Sequence, residues 1–507
     1  MIPDRPARAP ARYRLPTARS VWTGAMLGIV YIALVFAIVT AMRMRGPWYD
    51  EFYTLYVARP DIPLHQAVGL WLADNHPPIF YALARATAWA GATIEERRIL
   101  NLFLLVGACI QIAWWLIPPG LRRIGWVFAV ALASAWPAID RAAELRSNYL
   151  AFAAAAVALA ALVGYERGQR AHPRIEWAML TLALLIALNV HLAASIVGGG
   201  LVTATILRRL LARDGQSAVR LTAAATLAAA PMLLHLALSF GRIEANTRDF
   251  WIKGGFDAAR WAITFEVERI LTANLPVTIL AVAGFLVLAY RSWQDRRLAA
   301  ALDRAMTLGV GLVIACVLMV AIHLWRPFII DRYLVTLHPA IAMILALGAS
   351  ALLKRIRPLF AVLLSAVMTL AALLAIQANM IRTVSRASWY DTGRTIAAIR
   401  RGCPSTLVHV DWNGNRRAIA APPTENYAVF PHAYRLVAAH YGFALAPDGD
   451  RSMARDCPTL FWTEHVAGEN VTEEGLAAQL RADSFPIGRT RLIRVGDGHV
   501  LEAWPAR

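Results

Sequence analysis

Acidic and basic side chains collect at a few places in this chain, and their types suggest one kind of chemistry. Asp50 and Glu51 stand side by side in GPWYDEFYTLYVA (46–58), among five aromatic rings. Further along come Asp74, Asn75 and His76, then Asp140, Glu144, Arg146 and Asn148, then His191, and last Arg326, Asp331, Arg332 and Tyr333. A carboxylate can take a proton from a hydroxyl or amine as general base. Arginines beside it can hold and neutralise a phosphate leaving group. Arg326 and Arg332, in RPFIIDRYL (326–334), precede an apolar run, where free backbone N–H groups at a helix start would add to the attraction for phosphate. The pattern permits transfer of a group from a lipid-borne phosphate donor to an acceptor.

The elements that must position these residues are membrane helices. Of 507 residues, 58% are hydrophobic and only 17% charged, where soluble chains run near a quarter charged. Apolar runs of about 16 to 22 residues recur through the first three quarters, most closed by arginines. The run 21–42 is too long for a cleaved signal core and reads as a retained anchor. Arg5, Arg8, Arg12, Arg14 and Arg19 before it assign the N-terminus to the cytoplasm. Net charge of +18 follows from arginines in short loops, among them Arg122/Arg123, Arg167/Arg170/Arg174, Arg208/Arg209/Arg213 and Lys354/Arg355/Arg357, and calls for no nucleic-acid partner.

Alternating by the positive-inside rule predicts about eleven spans, 21–42, 99–117, 124–139, 148–164, 176–190, 192–209, 219–240, 269–290, 306–325, 333–353 and 359–378. Loops 43–98 and 241–268 then lie outside. Within the first, LHQAVGLWL (64–72) and the short run 78–91, which contains Arg85, read as helices on the outer surface. The organisation expected is a cytoplasmic tail (1–20), a membrane domain (21–380) and a small external α/β domain (381–507). In the last, TLVHVDW (406–412) and TLFWTEHV (459–466) read as strands, 390–401 and 473–483 as helices, and 489–504 as a hairpin around Gly-Asp-Gly. Cys403 and Cys457 each open a Cys-Pro segment leading into a strand. Side-by-side parallel strands would bring the thiols close, and an external compartment would allow a disulfide. Asn470-Val-Thr is a sequon by pattern only.

The order WYDEFYTLYVA, DNHPPIFYAL (74–83), EERRILNLF (95–103), ELRSNYLAFAA (144–154) and RPFIIDRYLVTLHPAIAM (326–343) resembles membrane glycosyltransferases of the GT-C type. The branch is that of the dolichyl-phosphate-mannose–protein mannosyltransferases and the bacterial lipid A aminoarabinose transferase, and the likeness spans about residues 20 to 380. It implies a multi-pass protein of the inner (plasma) membrane with an external active site. It also implies a polyprenyl-phosphate-linked sugar as donor, hexosyl or pentosyl transfer with inversion, and a lipid, glycan or protein acceptor. It puts Asp50 at the position of the catalytic base, or of a residue that orients the acceptor, and Arg332 and Tyr333 near the donor phosphate; the residues themselves add Glu51 beside Asp50, and Arg326 and Arg146 to the phosphate set. His76 falls on its HPP turn. Tyr53, His76, Glu144, Asn148 and His191 are assigned to the substrate cavity. Some members share a divalent ion, Mg or Mn, between two acids. Here Asn148 stands nearest the second position, with Glu144 or Asp140 as possible substitutes, so a metal is left open with Asp50 as its first candidate ligand.

Each assignment has a plainer counterpart. Asp50 can cap the first span; Glu51 can pair with Arg85, Arg97 or Arg98; Arg332 can snorkel to water; Arg146 can bridge to Glu144. The aromatics 48–56 read first as an interfacial belt, with sugar stacking second. A polyprenyl-diphosphate glycan ligase and a lipid or glycan transporter remain as rivals. The absence of Asp, Glu, Arg and Lys from span interiors argues against a proton- or ion-coupled path.

Overall fold

The computed structural model describes residues 18–118, 120–166, 172–247, 252–412, 415–422, 425, 428–464, 472–496 and 498–506. The arginines at 5, 8, 12, 14, 167 and 170, the sequon at Asn470 and Asp497 of the expected turn lie outside the described residues.

The chain opens with α1 (Ala18–Met44). Four short helices follow in the first loop: α2 (Tyr49–Val57), α3 (Leu64–Ala73), α4 (Ile79–Ala86) and α5 (Ile94–Arg97). Two of them, α3 and α4, fall where helices were expected, at 64–72 and 78–91. Next come α6 (Ile99–Leu116), α7 (Arg122–Ser134), α8 (Pro137–Asp140), α9 (Ser147–Tyr165), α10 (Pro173–Asn189) and α11 (Leu192–Leu211). The bundle is completed by α12 (Gly215–Thr247), α13 (Phe256–Ala273), α14 (Leu275–Gln294), α15 (Ala300–Trp325), α16 (Leu337–Leu353) and α17 (Pro358–Val384).

Among the described residues, 9 helices are long and apolar enough to cross a membrane, each matching an expected span. The expected spans 124–139 and 176–190 are helical too, but α7 has 13 residues and α10 has 17, and 13 residues reach only roughly 20 Å. The cause is visible in α7, whose residues from Val127 to Ser134 are all buried. A helix sheathed by protein need not match the bilayer thickness. Inner helices α9 and α16 are apolar all round, as burial on every side requires. Glycine lets backbones meet: a Cβ on Gly284 of α14 would collide with the backbone of Gly348 on α16.

One expected boundary shifts. The span expected at 269–290 begins instead at Leu275, and the loop 241–268 holds most of a further helix, α13. Asn274 causes the break. Its Oδ1 accepts from Val277 N at 3.3 Å, capping α14, while its Nδ2 donates to Ser134 Oγ and Met368 O, both at 3.0 Å. Helix α13 also carries a buried acid, Glu266, which takes hydrogen bonds from Trp136 Nε1 at 2.8 Å and from His338 Nε2 at 2.7 Å.

The C-terminal part is a small α/β unit with α18 (Trp389–Gly402), α19 (Asn415–Ala420), α20 (Val429–His440) and α21 (Glu473–Ala482). Its strands are β1 (Val408–His409), β2 (Thr459–Thr463), β3 (Ile487–Val495) and β4 (Gly498–Pro505), in the order β1-β2-β4-β3. The first pair is parallel and the others antiparallel. The strand expected over 406–412 shortens to two residues, because only Val408 and His409 find partners on β2. Side chains alternate across the sheet: Leu460 and Trp462 join the core under α18 and α20, while Phe461 and Leu501 pack with Leu476 and Leu480 of α21. Parallel β1 and β2 bring Cys403 and Cys457 together as a disulfide with Cα atoms 5.7 Å apart. Helix α20 does not emerge from the sequence reading, although Val429, Ala433, Tyr434 and Val437 keep helical spacing.

Candidate active site

Helix α2 begins directly after the extended residue Trp48, and both acids fall in its first turn, where the helix dipole favours negative charge. Neighbours on a helix point about 100° apart, so the two carboxylates part company. Asp50 Oδ2 lies 3.2 Å from Arg332 Nη1 and 3.7 Å from Arg146 Nη2. Glu51 turns inward and is fully buried. Its Oε1 and Oε2 accept from Arg98 Nε and Nη2, each at 2.8 Å, and Oε1 also accepts from Leu145 N at 2.7 Å. Arg98 in turn donates to Met42 O and Arg45 O, both at 2.7 Å. Glu51, expected beside Asp50 at the site, therefore turns away from it; it locks α2 to the end of α1 and the start of α6.

Glu144 is likewise withdrawn from the cavity expected for it. It is fully buried between Arg45 at 2.9 Å and Arg141 at 2.7 Å. Burial pulls its pKa up, but Arg141 and Arg45 outweigh burial and hold it well below the usual carboxylate range. Arg141 also reaches Asp331 at 3.8 Å, and Asp331 Oδ1 accepts from Arg332 N at 2.7 Å. This chain of charges fixes the segment carrying Arg332 against the loop before α9. Arg146 is the extended residue ahead of α9, with φ −143°. Its Nη1 lies 3.3 Å from Tyr81 OH and 3.5 Å from Thr54 Oγ1 and Asp50 O.

On the other side of Arg146, the Tyr81 hydroxyl donates to Asp74 Oδ2 at 2.5 Å, and His76 Nδ1 meets the same oxygen at 3.1 Å. Burial raises the Asp74 pKa, yet His76, Arg146 and the Tyr81 hydroxyl together bring it well below its ordinary value. The His76 ring contacts the His191 ring at 4.8 Å, and His191 contacts Tyr333 at 4.4 Å between centroids. Burial, with His76, Arg146 and Arg332 around it, pushes the His191 pKa well down, so the ring is neutral. Its Nδ1 accepts from Ala193 N at 3.1 Å, which leaves the proton on Nε2. That buried Nε2 has no hydrogen-bond partner among the described residues, and neither has the buried Tyr53 hydroxyl. The site thus combines two guanidinium groups with donors that lack acceptors, the requirements of an anion.

The structure brings Asp50, Arg146, Arg332, Tyr333, His76, His191 and Tyr53 into one cluster. Arg326 is not joined to Asp50; it pairs with Glu244 of α12 at 3.1 Å. Asn148 is buried in the first turn of α9. Sequence reasoning missed Tyr81 and Arg141, and it read Trp48 only as one of a belt of aromatics, although its ring centroid lies 4.8 Å from Arg332 Cζ. The adjacency of Tyr81 to the HPP turn and of Arg141 to Asp140 were the available signals. An ion bound at Asp50 would share that carboxylate with two guanidinium groups, and no group of three or more metal-ligating side chains occurs among the described residues.

The C-terminal unit reaches this site. Tyr49 and Phe52 of α2 meet Phe430 and Trp389 at 4.7 and 5.1 Å between ring centroids, and the Tyr56 hydroxyl donates to Glu425 O at 3.1 Å. The helix that carries Asp50 is clamped between the bundle, through Glu51, and the C-terminal unit, through its aromatics.

No family model and no curated protein matches the sequence. Among solved structures, ArnT from Cupriavidus metallidurans bound to undecaprenyl phosphate superposes over 96% of this chain and 98% of its own, with a TM-score of 0.54 at 13% identity. The chain has the GT-C fold. The same ArnT in its apo state covers equal shares with a TM-score of 0.52 at 12% identity. Near-complete coverage of both chains extends the GT-C likeness beyond the bundle to the C-terminal unit, so the expected helical membrane fold with a small α/β appendage is the one observed.

Proposed function

We propose that this protein is a GT-C glycosyltransferase that moves a sugar from a polyprenyl-phosphate donor to a lipid, glycan or protein acceptor at the outer face of the membrane. The observation that carries it is Asp50 held between Arg332 and Arg146, beside unpartnered donors. The ArnT structure that shares the fold holds undecaprenyl phosphate, which agrees with a polyprenyl donor. Arginine-rich loops at the opposite ends of the helices support an outward-facing site.

The donor's phosphate draws Arg332 and Arg146 towards itself, because phosphate accepts from guanidinium in paired hydrogen bonds. Asp50 is thereby released from part of its pairing and takes the proton from the acceptor hydroxyl. The acceptor oxygen bonds to the anomeric carbon as the bond from that carbon to the phosphate oxygen breaks. The bonding electrons leave with the polyprenyl phosphate, and the arginines, with His191 Nε2–H, hold the charge that develops there. A single displacement inverts the anomeric centre.

The test is purified protein in detergent, supplied with polyprenyl-phosphate sugars and candidate acceptors, with products read by mass spectrometry. A new glycosidic bond that disappears with Asp50→Asn supports the proposal. Wild-type turnover by that variant overturns the assignment of Asp50. Movement of lipid across sealed vesicles without bond formation would replace the enzyme by a transporter.

A further inference from the structure

At the other end of the bundle, a cavity of about 830 Å³ opens between α1, α6 and α7, within the roughly 300–1,000 Å³ range of ligand sites. It lies far from Asp50. Leu27, on its wall, precedes Met44 by 17 residues, which is roughly 25 Å along the helix. Helix α1 packs on α17 and α6 on α9, with α7 forming the floor between them. Trp126 of α7 ties that floor to α1 by donating to Thr23 O at 2.9 Å.

Two features distinguish this cavity from an ordinary lipid-facing groove. Gly24 and Gly28 form a Gly-xxx-Gly pair, a pattern that usually lets a second helix come close. Here a Cβ added at either glycine would meet no atom within 4 Å. Arg122 and Arg123, consecutive in the first turn of α7, both line the cavity, and among the described residues none that lines it is acidic. Snorkelling alone would not need both side chains on one cavity wall. The start of α7 lies at this cavity, so the positive end of its helix dipole adds to the potential there. Lys354 and Arg355 follow Leu353, which closes the back of the cavity.

We propose that this cavity is a binding site for an anionic phospholipid of the leaflet opposite Asp50. One acyl chain lies over Gly24 and Gly28, and the headgroup phosphate is held by Arg122 and Arg123. Basic pockets between membrane helices suit such headgroups, and the apolar walls suit the chain. The site is independent of the transferase reading, since it shares no residue with the cluster around Asp50.

Native mass spectrometry of delipidated protein, titrated with phosphatidylglycerol and phosphatidylcholine, tests the proposal. The expected result is one phosphatidylglycerol bound in preference to phosphatidylcholine, by roughly 30-fold if each arginine contributes as a surface-bound basic residue does. Arg122→Ala with Arg123→Ala should abolish the preference. Gly28→Leu, whose Cβ would meet no atom within 4 Å, extends a side chain into the cavity and should weaken both lipids, and it keeps the test alive if the arginine variant fails to fold. Asp50→Asn should leave lipid binding unchanged. Equal affinity for the two lipids, or an unchanged preference in the arginine variant, overturns the proposal. A dimer lost on Gly28→Leu overturns it in favour of a second copy of α1 on this face.

Discussion

Asp50 and Glu51, adjacent in the chain, turn their carboxylates to different arginines: Asp50 to Arg332 and Arg146, Glu51 to Arg98. One acid faces the cluster with its charge shared loosely at 3.2 and 3.7 Å, and the other is sealed at 2.8 Å. The split separates chemistry from architecture within two residues.

Substitution should therefore separate them as well. Asp50→Asn is expected to lower turnover by about 10²–10⁴, the usual worth of a general base, with thermal unfolding in detergent nearly unchanged. Glu51→Gln should do the reverse first: it leaves Arg98 buried without its counter-charge, at about 3–5 kcal/mol. A large drop in melting temperature for Glu51→Gln and a small one for Asp50→Asn is the pattern to look for.

The two arginines of RPFIIDRYL should differ. Arg332→Ala removes a guanidinium from Asp50, and weaker donor binding by roughly 10-fold or more is expected from loss of a charged hydrogen bond. Arg326→Ala breaks the partly exposed pair with Glu244, worth about 0–1 kcal/mol, and the loose stacking on Trp325, and should leave donor affinity near wild type. Comparing KM for the donor in the two variants decides it.

His432 gives a pH dependence with a definite sign. It stands on α20 with its ring 5.7 Å from that of Tyr56 on α2, and burial first, then Arg59, pushes its pKa down to about 4. The folded state therefore resists protonation. Its stabilising neutral form is fully present above the unfolded value, about 6.5, and is lost as pH falls from there towards 4. Thermal unfolding followed between pH 7 and 4 should show a slope that flattens in His432→Asn. An equal slope in the variant would mean that other groups set it.

The Cys403–Cys457 disulfide closes 54 residues, and chain-entropy reasoning gives it about 4 kcal/mol. Reduction, or Cys403→Ser, should loosen the C-terminal unit. Because that unit grips α2 through Trp389 and Phe430, turnover should fall along with stability. Hydrogen exchange across 49–57 before and after reduction reports the coupling directly.

The amino-acid sequence by itself determined that this is a multi-pass helical protein, where nearly all its spans run and that its acids and arginines gather at one end. It also pointed to Asp50, Arg332 and His76, and to the pairing of Cys403 with Cys457. The spans and the disulfide follow from local signals, runs of apolar residues and strand starts, whereas the roles of Asp50, Arg332 and His76 rest on the resemblance to a known family. Only the tertiary structure decided that Glu51 takes Arg98, that Glu144 lies between Arg45 and Arg141, and that Arg326 goes to Glu244. It alone showed that Asn274 ends α13 by bonding to Ser134 and Met368, and that the C-terminal unit rests on α2. The reason is physical: partner choice among many equivalent guanidinium groups depends on how distant helices pack, and a hydrophobic period carries no information on which helix lies opposite.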